Sequence, residues 1–265
     1  MPRFLPALSR LATVLFVVAL PTLLITSNIR FLAGEVRVYE YGFRTYHADQ
    51  ATGLPMADLD RSAGEIIDYF ENNEDTLRIL VQDNGDEVSL YNARETEHMR
   101  DVKSLMRFVF RVNEVSLAFV MAYVTGMFIW SRQPLRLLAQ RALAGVATGF
   151  ALILFVGVFA VTGFDATWAR FHRIFFRRGT WQFDPDTDHL IQMFPEPFWR
   201  DVTYFLGILT MVEALVIVTV ALGYLWWTRE SDQQRPARQA QNPPATLPGP
   251  SADAPAPENV QVHSR

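Results

Sequence analysis

Two of the five histidines in this chain stand where an imidazole is costly to place. His98 lies four residues ahead of Val102, and Val102, Leu105, Val109 and Val112 follow at steps of three, four and three, so His98 points with the apolar stripe of a helix. His172 shares a face with Trp168, Phe171, Phe175 and Phe176, while Arg170, Arg173 and Arg177 share another. His47 falls in a loop, His189 in the first turn of a helix and His263 in the C-terminal tail. A pair of imidazoles at one membrane depth can take a proton from a nucleophile and give one to a leaving group near neutral pH. One imidazole could instead accept an acyl group itself. A metal site completed by Glu95 or Asp101 ranks lower, because aromatic surroundings offer few hard oxygen ligands; no metal or other cofactor is expected. Glu95 or Asp101 beside His98 would fix its tautomer and raise its basicity. Cysteine is absent, which excludes thiolate nucleophiles, disulfides and iron–sulfur clusters. No G-x-S-x-G, H-E-x-x-H or P-loop occurs.

The elements that must carry these side chains read as an α-helical integral membrane protein. Of 265 residues, 50% are hydrophobic and only 20% charged, a balance between membrane and soluble parts. Spans of about 20 apolar residues match a hydrocarbon core of ~30 Å, and four are expected: Leu11–Ile29, Val115–Trp130, Ala142–Phe164 and Val202–Trp227. Arg3 and Arg10 before the first apolar run resemble a secretion signal, but the run is long and no A-x-A site follows, so an uncleaved span is expected. Arg132, Arg136 and Arg141 in the acid-free loop 131–141, with Arg3 and Arg10, place both termini in the cytoplasm. The chain then divides into residues 1–32 (tail and first span), 33–112 (an extracellular cap), 113–164 (second and third spans), 165–201 (an extracellular aromatic segment), 202–227 (fourth span) and 228–265. The last stretch holds seven of the fifteen prolines and is expected to be disordered. A net charge of −4 gives no reason to expect nucleic-acid binding. Gly145 and Gly149 suit close helix packing. Glu213, in mid-span, is either a functional acid or, the favoured option, hydrogen-bonded to a neighbouring span.

The cap is expected to be a small α+β unit, with a strand over Glu35–Tyr46 and a helix over Leu59–Phe70. Strands Leu77–Gln82 and Glu87–Tyr91 flank an Asn84-Gly85 turn. Asp165 is the expected N-cap of an interfacial amphipathic helix over Asp165–Arg178, closed by Gly179, with Arg170, Arg173, Arg177 and Arg178 at lipid phosphates. Twelve of the 42 residues from Phe164 to Phe205 are aromatic. An interfacial belt accounts for part of that density, not for the histidine set within it.

Tyr91-Asn92-Ala93-Arg94-Glu95-Thr96-Glu97-His98-Met99-Arg100-Asp101-Val102-Lys103, Phe171-His172-Arg173-Ile174-Phe175-Phe176, Trp181-x-Phe-Asp-Pro and Phe194-Pro-Glu-x-Phe-Trp resemble the bacterial lipoprotein intramolecular transacylases. The resemblance covers the topology to about residue 228 and is specific around 91–103 and 171–201. It implies four spans, an extracellular cap, and two catalytic histidines where cap meets membrane, here His98 and His172. It also implies the reaction: transfer of an acyl chain from the sn-2 position of a lipoprotein's diacylglyceryl group to the α-amine of its N-terminal cysteine, giving a lyso-form lipoprotein. Diacylglyceryl lipoproteins and membrane lipids are the expected partners. Tyr91, Asn92, Glu95, Asp101, Phe171, Phe175, Trp181 and Trp199, from the same segments, are the expected substrate-binding or orienting side chains. A membrane lipid or peptide hydrolase using the same histidines with water, with or without a metal, and a non-enzymatic accessory protein binding a partner through its cap, remain the alternatives.

Overall fold

The computed structural model describes residues 4–83, 85–176 and 179–241. Four helices are long and apolar enough to cross a membrane: α1 (Phe4–Gly34), α5 (Ala93–Trp130), α6 (Pro134–Thr162) and α9 (Glu196–Gln241). The 38 residues of α5 make a rod of about 57 Å, nearly twice the ~30 Å of a hydrocarbon core. Its C-terminal part, residues 113–130, suffices for the crossing. The first part, which bears His98, extends beyond the length that a crossing needs.

Inside the bundle, α1 lies against both α5 and α6. Phe16 of α1 stacks on Tyr123 of α5 with ring centroids 4.3 Å apart. Pro21 lies inside α1 and, lacking an N–H, cannot bond the carbonyl of Val17. Two glycines of α6 occupy the space beside this irregularity: a Cβ on Gly145 would lie 3.3 Å from the Val17 oxygen, and one on Gly149 would lie 2.7 Å from the Pro21 Cβ. The glycine pair is therefore a packing device. Polar ties complete the bundle. The Asn113 amide donates to Thr26 Oγ1 (3.2 Å) and Ser27 Oγ (2.8 Å). The Asn28 amide donates to Thr210 Oγ1 (3.1 Å) and Glu213 Oε2 (2.9 Å), so Glu213 joins α9 to α1.

The cap departs from expectation at its first element. Residues 36–45 form a helix, α2 (Val36–Thr45), not a strand. The loose alternation of Glu35–Tyr46 conceals Val36, Tyr39, Phe43 and Tyr46 at steps of three, four and three. Tyr39 and Phe43 are buried, and Glu35 caps the helix by accepting the Arg37 N–H. This stripe packs on α4 (Met56–Glu71), with α3 (Ala48–Thr52) between them in sequence. The hairpin forms as expected in kind: β1 (Leu80–Asp83) pairs antiparallel with β2 (Asp86–Ser89), Asp83 opposite Asp86. Gly85 takes φ +96, which favours glycine, while Asn84 lies outside the described residues.

Two further boundaries differ. The amphipathic helix α7 runs Phe164–Phe175 with Gly163 as its N-cap, and Asp165 sits inside the first turn rather than capping it. It stops before Gly179 because the backbone turns extended at Phe176, whose N–H still closes onto the His172 carbonyl. Arg177 and Arg178 fall outside the described residues. Beyond the short α8 (His189–Met193), α9 continues past Trp227 to Gln241, so the stretch expected to be disordered begins as helix. Residues 228–241 are rich in Arg, Gln and Ala and hold one proline, Pro236; the other six of the tail lie from Pro243 onward, outside the described residues. Residues up to Tyr224 form one compact unit and those from Leu225 a second.

Candidate active site

The position of His98 begins with the start of α5. The Asn92 side chain accepts the N–H groups of Arg94 and Glu95, and Glu95 Oε2 accepts the Asn92 N–H at 2.8 Å, a reciprocal capping box. The other Glu95 oxygen accepts the Leu190 N–H at 2.6 Å, which ties α5 to α8. Close by, Asp188 receives the Asn92 amide (2.7 Å), the Arg94 guanidinium and the Asp184 N–H (2.7 Å). Burial pushes the Asp188 carboxyl up, but the Asp184 N–H, the Asn92 amide and Arg94 outweigh it and hold the group below its ordinary value. This clamp ties residues 184–188 to the first turn of α5, where Arg94 also lies over the Phe183 ring at 5.7 Å from its centroid.

His172 is set by α7, where Phe164, Trp168 and His172 recur every four residues. Its Nδ1 lies 2.9 Å from the Trp168 carbonyl oxygen. A carbonyl can only accept, so Nδ1 carries the hydrogen and Nε2 the lone pair. The two imidazoles meet nearly parallel, with centroids 6.0 Å apart and planes at 21°. Aromatic rings enclose them: Phe176 (4.7 Å) and Phe183 (5.3 Å) on His98, Trp168 (4.5 Å) and Trp181 (4.9 Å) on His172. Both histidines are more than nine-tenths buried. Burial, reinforced by the neighbouring His172, lowers His98 from 6.5 to about 4, and burial likewise lowers His172 against the opposing pull of the Trp168 carbonyl. Both rings are therefore neutral at pH 7. His98 Nδ1 is buried with no hydrogen-bond partner among the described residues.

Both imidazoles line an apolar cavity of about 610 Å³, whose walls also include Leu32, Leu105, Leu206 and Ile29. Of the expected residues, His98, His172, Phe171, Trp181 and Trp199 line it. Tyr91, Asn92, Glu95, Asp101 and Phe175 do not. Tyr91 is a core residue whose hydroxyl donates to Met193 Sδ at 3.3 Å; burial pushes that hydroxyl well up. Asn92 is the helix cap. Both Glu95 oxygens serve backbone N–H groups and neither reaches His98, so its role is to hold α8 rather than the imidazole. Asp101 Oδ2 is buried with no hydrogen-bond partner, His98 included, among the described residues. Phe175 is 53% exposed, because α7 ends there and the next residue, Phe176, turns inward instead. Sequence reasoning missed Phe183 and Asp188: the run Asp184-Pro-Asp-Thr-Asp188 reads as a solvated turn, and the partners of Asp188 lie on α5. Among the described residues, no three His, Asp or Glu side chains gather where a metal ion could be held.

The family model of the lipoprotein intramolecular transacylase Lit matches residues 14–199. The chain belongs to the Lit family. The Lit match spans α1 through the start of α9 and includes both histidines. A protein of Aquifex aeolicus (strain VF5), described only as uncharacterized, is 31% identical over 135 residues. That alignment takes in 50% of this chain and 57% of the relative, so the chain spans little more than half the length of that curated protein. The crystal structure of the membrane integral lipoprotein intramolecular transacylase Lit from Bacillus cereus superposes with a TM-score of 0.71 at 14% identity, covering 86% of this chain and 99% of that one. A form of the same protein with a histidine-to-alanine mutation gives 0.67 at 15% identity, over 86% and 98%. At such identity the likeness is one of fold, and the four-span arrangement with its small two-stranded sheet is that fold.

Proposed function

We propose that this chain is a membrane intramolecular acyltransferase, moving the sn-2 acyl chain of a diacylglyceryl lipoprotein to the α-amine of the lipoprotein's own N-terminal cysteine. The observation that carries this is the stacked pair of neutral imidazoles in the wall of an apolar cavity, in a chain of the Lit family. Ester-to-amine transfer needs a deprotonated amine, a stabilised oxyanion and a protonated leaving alkoxide. His172, with its hydrogen fixed on Nδ1, presents Nε2 as the base that takes a proton from the substrate ammonium. The freed amine attacks the ester carbonyl through a ring of N, Cα, Cβ, S, two glyceryl carbons, the ester oxygen and the acyl carbon. As the tetrahedral adduct collapses, the amine loses its second proton and the glyceryl oxygen gains one, and His98 is the second imidazole available for that exchange. A medium-sized ring closes slowly in free solution for conformational reasons, and rings packed around both ends restrict that freedom. No cofactor enters the scheme.

The cap and both histidines belong at the outer face of the cell membrane, with both termini in the cytoplasm. Arg132, Arg136 and Arg141 at the α5–α6 junction support that orientation. The test is expression in a strain whose lipoproteins are only diacylated, followed by mass spectrometry of one lipoprotein's N-terminus. The parent protein yields a lyso-form carrying an N-acyl chain, and His98→Ala and His172→Ala yield none. Retained product in both variants overturns the assignment, and release of free fatty acid without N-acylation favours a hydrolase.

A further inference from the structure

Along α1 and α9 the residues that line the cavity stop just short of polar groups that the proposed chemistry does not use. Its lower walls are Ile29 and Leu32 of α1, Leu105 and Met106 of α5, and Val202 and Leu206 of α9. Next to Ile29 in sequence is Asn28, and one turn beyond Leu206 is Thr210. The Asn28 amide holds Thr210 Oγ1 and Glu213 Oε2, and the Thr210 hydroxyl donates in turn to the Leu206 carbonyl at 2.8 Å. A second rung lies deeper, where the Asn113 amide bridges to Thr26 and Ser27. Thr26, Asn28, Asn113 and Thr210 are all more than nine-tenths buried. On the far side of α1, Gly145 and Gly149 of α6 sit against the helix too closely to admit a chain.

We propose that this two-rung clasp joining α1, α5 and α9 is the stop that sets how long an acyl chain the site accepts. The inference rests on the acyl transfer proposed above and names a specificity determinant of that same cavity. A chain end that reaches Ile29 and Leu206 can advance only by parting Asn28 from Thr210 and Glu213. Orphaning the buried Asn28 amide in a medium without water costs more than burying one further methylene returns.

The experiment uses the full-length protein in liposomes with synthetic diacylglyceryl-cysteinyl peptides that differ only in the sn-2 chain: dodecanoyl, palmitoyl or icosanoyl. kcat/KM for each is read by mass spectrometry of the N-acyl product. Opening the stop with Asn28→Ala plus Glu213→Ala raises the icosanoyl-to-palmitoyl ratio about tenfold, and filling the floor with Leu206→Phe lowers the palmitoyl-to-dodecanoyl ratio by a similar factor. General destabilisation slows all three substrates together and leaves both ratios where they were, which overturns the proposal. If the opened variant does not fold, the filled variant decides alone. A parent protein that makes no N-acyl product from any chain refutes the transfer itself, whereas transfer with unmoved ratios refutes only the clasp.

Discussion

Acid should destabilise this protein through His98 in a way that can be isolated. Burial, reinforced by His172, sets the folded-state value at about 4 against 6.5. Between those two values the unfolded chain binds the His98 proton and the folded chain does not, so stability falls as pH falls. The contribution is fully present above about 6.5. At 1.36 kcal/mol per unit, about 2 kcal/mol is gone at pH 5 and about 3 kcal/mol near pH 4. His172 is displaced in the same direction and adds to the loss. Replacing His98 by Phe removes the proton-binding group while keeping a ring against Phe176 and Phe183. The assay is the thermal unfolding midpoint of parent and variant in one detergent, scanned from pH 8 to pH 4. The difference between the two curves should be flat above about 6.5 and shift by roughly 10 °C in favour of the variant near pH 4. A difference curve that stays flat throughout means that His98 takes up a proton freely, and the dry, neutral pair is refuted together with the proton transfers built on it.

Other predictions concern the supports of the site. Asp188→Ala leaves the Asp184 N–H and the Asn92 amide without their acceptor and should destabilise the protein by about 3 kcal/mol; limited proteolysis should then cut within residues 181–188, which resist it in the parent. Gly149→Ala drives a methyl into Pro21 and should lower stability by about 1–3 kcal/mol, while Gly157→Ala, which meets nothing within 4 Å, should leave the unfolding midpoint in place.

The sequence is most legible where a single periodicity carries the information. His98 and His172 each stand in an apolar stripe of their own helix, and that local fact was enough to pair them before any tertiary contact was known. The spans are legible for the same reason. Residues 36–45 were not, because Glu-Val-Arg-Val-Tyr-Glu-Tyr satisfies a period of two as well as the helical spacing of Val36, Tyr39 and Phe43, and only packing on α4 decides between them. Glu95 was misread because its position beside His98 is local, whereas its second partner, the Leu190 N–H, is 95 residues away. The clamp on Asp188 was hidden by the same distance. Phe175 and Phe176 exchanged roles through the early end of α7, an error of one position that turns a cavity residue into an exposed one.

The pairing of His98 and His172 also constrains how the protein comes into being. His98 precedes the crossing made by α5, and His172 follows the return made by α6. A nascent chain that has completed only the first of these crossings holds one imidazole of the pair, and cutting the chain between α5 and α6 would leave one on each fragment. The pair is therefore completed only once both α5 and α6 are in place.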